Sequence, residues 1–171
     1  MKQEYSSKNT SINKTKLPAI YNKINWEKIA TNWKKNNNNK PILLDYGCGR
    51  YTNHIRNFVE KLGFEYIGYD PYWTEEINIH ECKPAVVVCS NVLNVIKEDK
   101  IVKEIMCILL GFGVPYYITV YEGNNSGIGK ATSKNSYQRN AALYTYMGLT
   151  GIKMKIKKRV LTLQNYVQYI K

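Results

Sequence analysis

The segment Leu44-Asp45-Tyr46-Gly47-Cys48-Gly49-Arg50 constrains the fold of this chain more than any other. It ends an apolar run that starts at Pro41. It leads into residues 52–62, whose Ile55, Phe58, Val59 and Leu62 share one helical face. A short apolar run closed by glycines marks a strand buried on both faces. Strand, glycine turn and helix in that order open a parallel sheet, because only a crossover returns the chain in the same direction.

The alternation continues downstream. Residues 64–70 read as a second strand, stopped by Pro71, and residues 77–80 as a short third one. Residues 85–90 read as a buried fourth strand. Residues 97–110 form a helix with Ile101, Ile105, Ile108 and Leu109 inward, and residues 114–121 a fifth strand. Residues 152–156 and part of 160–163 alternate strictly and lie close together, which predicts an antiparallel pair at the sheet edge. The predicted fold class is therefore α/β: a Rossmann-like, mostly parallel sheet with an antiparallel edge hairpin in an α/β/α sandwich. Residues 41–171 make this domain. Residues 1–40 are a polar arm, loose over 1–16, and a helical cap, with an irregular helical pattern over 17–33. Residues 123–140 are polar and Gly-rich, too long for a routine connection, and are a candidate functional loop.

Composition narrows the function classes. A chain of 171 residues suits one domain, and 44% apolar with 12% aromatic residues excludes disorder throughout. No apolar run approaches the ~20 residues of a membrane span, so no membrane partner is expected. The N-terminus lacks an apolar signal core. The four cysteines form no C-x-x-C pair, which suits a reduced, cytoplasmic chain. Only His54 and His80 could join them, so no metal site is expected. The formal charge of +12 invites a nucleic-acid partner. Yet 21 of the 25 basic residues are lysine, and there are 19 asparagines, as AT-rich coding alone would give. Charge by itself leaves the two explanations level.

The glycine turn carries the chemistry. Glycine lets a ligand approach the backbone, and the following helix start offers free N–H groups. Asp70, about 20 residues on, ends the second strand, where an acid can accept two hydrogen bonds from a ribose diol. A dinucleotide fingerprint wants G-x-G-x-x-G, but here Gly47-Cys48-Gly49-Arg50-Tyr51-Thr52 lacks the third glycine. The D-x-G-x-G pattern instead resembles motif I of class I S-adenosylmethionine-dependent methyltransferases, with Tyr51 where a third glycine is usual. Val88-Cys89-Ser90-Asn91-Val92-Leu93-Asn94 resembles a segment of small phage and bacterial methyltransferase-like proteins. So do Lys16-Leu17-Pro18, Thr119-Val120-Tyr121-Glu122-Gly123, Gly127-Ile128-Gly129-Lys130 and Tyr137-Gln138-Arg139-Asn140, in that order.

The resemblance implies S-adenosyl-L-methionine as cofactor. Asp45, Gly47, Cys48 and Gly49 would line its methionine end, and Asp70 its ribose. Tyr72 or Trp73 would flank the adenine, and Ser90 and Asn91 would stand at the adjoining strand end. Asn91, Glu122 and Tyr137 are the candidate catalytic groups. Lys130, Gln138, Arg139 and Asn140 are the candidate substrate contacts, with Lys134 beside them. A small-molecule or protein acceptor, or a non-catalytic cofactor-binding or interaction module, are the alternatives.

Other chemistries fit less well. The D/N-P-P-Y/F motif of amino-methyltransferases is replaced by Ser90-Asn91-Val92-Leu93. Cys89 sits on an apolar strand, as a packing residue rather than a thiolate nucleophile would. The 123–132 stretch misses the P-loop spacing, and Ala131 replaces its metal-binding hydroxyl. His54 is a lone helical histidine. The basic 153–159 cluster suits edge protection, with phosphate binding as the alternative.

Overall fold

The structure is a computed structural model that describes residues 3–10, 14–74 and 77–171. Helix α1 (Trp26–Lys34) precedes strand β1 (Ile42–Tyr46), helix α2 (Asn53–Lys61), β2 (Glu65–Tyr69), β3 (Val86–Ser90), helix α3 (Asp99–Gly111) and β4 (Tyr116–Thr119). Strands β5 (Lys130–Ser133), β6 (Ser136–Gln138), β7 (Met154–Lys157) and β8 (Val160–Leu163) follow. Six strands form one sheet in the order β2-β1-β3-β4-β8-β7, and β5 and β6 form a separate antiparallel hairpin. The first four strands of the sheet are mutually parallel; β8 is antiparallel to both β4 and β7. The chain is thus mixed α/β with a mostly parallel sheet and the expected antiparallel edge pair.

Strand alternation sends side chains to two apolar layers. Leu44, Val87, Cys89 and Ile118 pack with Val102, Met106 and Leu109 of α3. Leu43, Val86, Val88 and Tyr117 pack with Ile55 and Val59 of α2, Ile29 of α1 and Ile170. Ile20, Tyr21 and Ile24 lie in this second layer too, so the chain before residue 40 shares the sheet's core.

Three expectations change. Residues 77–80 form no strand. Ile79–Glu81 is a 3-10 turn whose start is capped by Asn78, with Ile79 plugged into the α3-side core. Alternating isoleucines mimic a strand, but the asparagine satisfies the backbone locally. The helix expected over 17–33 is confined to Trp26–Lys34. Before it, turns lead to a single antiparallel bridge between Ile24 and Ile170, and Asn25 caps the helix through Lys28 N–H. Residues 3–10, expected loose, are held by named hydrogen bonds described below. No helix among the described residues is long and apolar enough to cross a membrane.

Candidate functional site

The β1–β2 crossover leaves on one side of β1 and β3 lies on the other, so the order reverses at β1/β3. Open sheets bind ligands at such a point, outside the carboxyl ends of the strands. A cleft of about 1150 Å³ opens there.

One wall is the glycine turn. Gly47 and Cys48 N–H both donate to Tyr69 C=O, at 2.7 and 3.1 Å, which folds the turn over the end of β2. Gly47 has φ +74°, and a Cβ there would lie 2.2 Å from Val92 Cγ2. Its glycine is therefore required by the neighbouring valine as well as by the backbone. Asp70 accepts from Gly49 N–H at 3.1 Å through one carboxylate oxygen and from Tyr72 N–H at 2.9 Å through the other. A carboxylate has about four acceptor positions, so two remain. Burial pushes the Asp70 carboxyl upward, and the backbone N–H groups of Tyr72, Gly49 and Trp73 oppose the shift.

Asp45 lies at the floor, 2% exposed, and accepts from the Tyr66 hydroxyl at 2.9 Å. Burial pushes its carboxyl up to about 6, against the pull of that phenol. Neither Asp45 nor Asp70 has a cationic partner among the described residues. Burial raises the Cys48 and Cys89 thiols, so both are neutral; Cys89 belongs to the core. Among the described residues, no cluster of three His, Cys, Asp or Glu side chains could hold a metal.

Asn91 follows β3 with φ +58°, a left-handed conformation that asparagine tolerates, and its N–H donates to Thr119 C=O. Its side chain is exposed on the cleft, beside Ser90, whose hydroxyl is 3.3 Å from that of Thr119.

The opposite wall comes from distant segments. Residues 3–10 lie between the β3–α3 connection and the β5–β6 hairpin. Ser7, 5% exposed, donates from N–H to Asn135 C=O and from Oγ to Val95 C=O, and it accepts from Tyr137 N–H. Tyr5 stacks on Tyr137 with centroids 5.5 Å apart, and Lys97 pairs with Glu4. Within the 123–140 segment, Lys130–Ser133 and Ser136–Gln138 form a braced hairpin. Tyr121 C=O accepts from Gln138 Nε2, and Gln138 Oε1 accepts from Asn94 Nδ2.

The eight residues assigned to the cofactor, Asp45, Gly47, Cys48, Gly49, Asp70, Tyr72, Ser90 and Asn91, all line this cleft, as do Tyr137 and Gln138. Glu122, Lys130, Arg139 and Asn140 do not line it. Glu122 accepts from Leu143 N–H and Arg159. Arg139 points at the β3–α3 connection, donating to Ile96 and Lys97 carbonyls and pairing with Asp99. Asn140, 4% exposed, donates to Ile128 C=O and packs on Gly123. Trp73 lies outside the cleft, between Arg50 and Lys8, and donates to Lys8 C=O.

Sequence reading missed Ser7, Asn94, Thr132 and Asn135 as lining residues. Isolated polar residues in segments without periodicity carry no signal. His54 also lines the cleft, with its Nδ1 buried and unpartnered among the described residues. No known family model matches the chain, and no curated protein does either.

Proposed function

We propose that the chain is a class I S-adenosylmethionine-dependent methyltransferase with a Rossmann-like domain, acting on a nucleic acid. One observation carries the reading: two carboxylates without cationic partners, Asp45 and Asp70, flank a glycine turn in a cleft at the reversal point of a parallel sheet. Neither acid has a basic side chain paired with it among the described residues, so the two ask for a ligand bearing positive charge and hydroxyls.

The residues present fit such a cofactor. The two acceptor positions left on Asp70 match a ribose diol, and the Asp45 carboxylate matches an ammonium group. The cleft volume accommodates a nucleoside with an amino-acid tail. Tyr72, half-buried on the rim, offers a ring face to a flat base. When bound, the cofactor supplies a methyl group already activated by sulfonium charge. The protein's task is then alignment and desolvation. Asn91 presents an amide at the strand end, where its carbonyl oxygen would hold an acceptor N–H. Tyr137 and Gln138 face it from the other wall and would orient the acceptor. Neutral Cys48 leaves the floor free of a competing nucleophile.

The test is transfer of labelled methyl from S-adenosylmethionine into separated DNA, RNA, protein and small-molecule fractions. Label in a nucleic-acid fraction, lost with Asp70→Ala, is the expected result. Label in small molecules or protein alone would keep methyl transfer and remove the nucleic acid. No label in any fraction, together with no cofactor binding, would overturn the reading.

A further inference from the structure

We infer that the surface running from the β5–β6 hairpin, past the cleft mouth at Tyr121 and past Tyr144, to strand β7 binds single-stranded nucleic acid; only the identification of this strand as the methyl acceptor rests on the function proposed above.

The first observation is where the charge lies. Residues 41–120, which carry the glycine turn and both cleft carboxylates, hold ten acidic and seven basic side chains. Residues 121–171 hold nine basic side chains and one acidic, Glu122. Residues 1–40 are also basic, with nine basic and two acidic side chains, so both ends of the chain are poor in acids while the middle keeps them, a distribution that a coding bias toward lysine does not produce. The single acid is already engaged, accepting from Leu143 N–H at 2.8 Å and from Arg159 at 2.9 Å. Lys130, Lys134, Lys153 and Lys155 are exposed and have no carboxylate partner among the described residues. This surface is therefore an uncompensated cationic field, suited to a polyanion.

The second observation is aromatic. Tyr121 is 63% exposed and Tyr144 68%, and neither ring meets another ring or a cation among the described residues. Free tyrosine faces on a surface that also carries unpaired lysines are the elements of a single-strand track: bases stack on the rings and phosphates lie on the cations. A duplex keeps its base faces to itself and cannot use them.

The third observation is continuity. Tyr121 lines the cleft, and its carbonyl holds Gln138. The Glu122–Leu143 hydrogen bond joins it to the 3-10 helix Leu143–Leu149, which carries Tyr144 and packs against β7, the strand of Lys155. A strand on this track has an end at the cleft.

The experiment is fluorescence anisotropy of a fluorescein-labelled single-stranded 20-mer, in DNA and RNA arms, titrated at several salt concentrations. The wild type is expected to bind either strand more tightly than the duplex of the same sequence. In K130A/K134A/K153A/K155A the slope of log affinity on log salt should shrink by roughly 3, at ~0.7 for each phosphate that loses its lysine. Tyr121→Ala and Tyr144→Ala should each weaken binding roughly fivefold or more at nearly unchanged slope. The control K100A/K103A, on exposed positions of α3, should leave both readings unchanged. Preference for the duplex, an unaltered slope in the quadruple variant, or an equal loss in the control would overturn the inference. Calorimetry with S-adenosylmethionine on the same proteins separates the two ideas: strand binding without cofactor binding removes the methyltransferase reading and leaves the track.

Discussion

The two walls of the cleft are built on different physics. The wall at Asp45 and Asp70 grows from the ends of buried parallel strands. Its backbone is pinned by Gly47, Cys48 and Gly49 N–H donors, and Val92 fills the space that Gly47 leaves. The wall at Ser7 and Tyr137 is assembled from segments about 130 residues apart in sequence, held by exposed or half-buried hydrogen bonds and one ring stack. The first is rigid because the core beneath it is rigid. The second has little apolar burial and opens at lower cost. A preorganised charged wall facing a looser polar one suits a site that holds a cofactor firmly and admits a larger acceptor.

Breaking the rigid wall has the largest effect. Gly47→Val adds a side chain at positive φ, with its Cβ on top of Val92. Overpacking and backbone strain together cost about 3 kcal/mol or more. A matching drop in thermal midpoint and loss of measurable cofactor binding are expected.

The second effect is a pH dependence from Asp45. Its folded carboxyl lies at about 6, above the usual 3.8, so the folded chain binds this proton more tightly than the unfolded chain does. Stability from this group is therefore full below pH ~4 and falls as pH rises through 6, by about 3 kcal/mol. Asp45→Asn lacks the penalty. Urea unfolding at pH 4 and pH 7 should show the variant gaining about that much on the wild type.

A smaller loss is expected from Asp70→Ala, which removes the acceptor of two backbone donors along with the diol contact. Cofactor affinity should fall by ~1–3 kcal/mol in a titration, with the acceptor-side wall unchanged in hydrogen exchange. The smallest effect is on the looser wall. Ser7→Ala removes the hydroxyl that bridges Val95 and Tyr137, worth about 1 kcal/mol. Faster amide exchange over residues 3–10 and 135–138, with cofactor affinity within about 0.5 kcal/mol, would sharpen the contrast between the walls.

The rigid wall was legible in the sequence and the looser one was not, for the same reason. Val86–Ser90 and Ile42–Tyr46 are buried on both faces, so their residues are apolar but for Asp45 and Ser90 at the carboxyl ends, and each strand ends at a turn. That placed Asp45, Gly47, Gly49, Asp70 and Asn91 at one sheet edge. The hairpin Lys130–Ser133 with Ser136–Gln138 is exposed or half-buried throughout and leaves no apolar rhythm. Ser7 owes its burial to partners about 90 and 130 residues away. Arg139 looked like a free donor beside Tyr137 and Gln138, yet its side chain turns back to Asp99 and two carbonyls. Side-chain direction in an irregular segment depends on which neighbours fold against it. Ile77 and Ile79 show the opposite error, a strand-like alternation that a single asparagine cap turns into a 3-10 turn.

The central claim is that the two uncompensated carboxylates bind a cation-bearing nucleoside. Titration calorimetry of S-adenosylmethionine into the wild type at pH 6, in two buffers of different ionisation enthalpy, tests it most directly. Asp45 is about half protonated there, and a cation beside it favours the ionised form. The account predicts one-to-one binding with release of up to about half a proton, a release absent in Asp45→Asn and an affinity weakened in Asp70→Ala. No binding, or binding whose proton balance and affinity are the same in all three proteins, would contradict it.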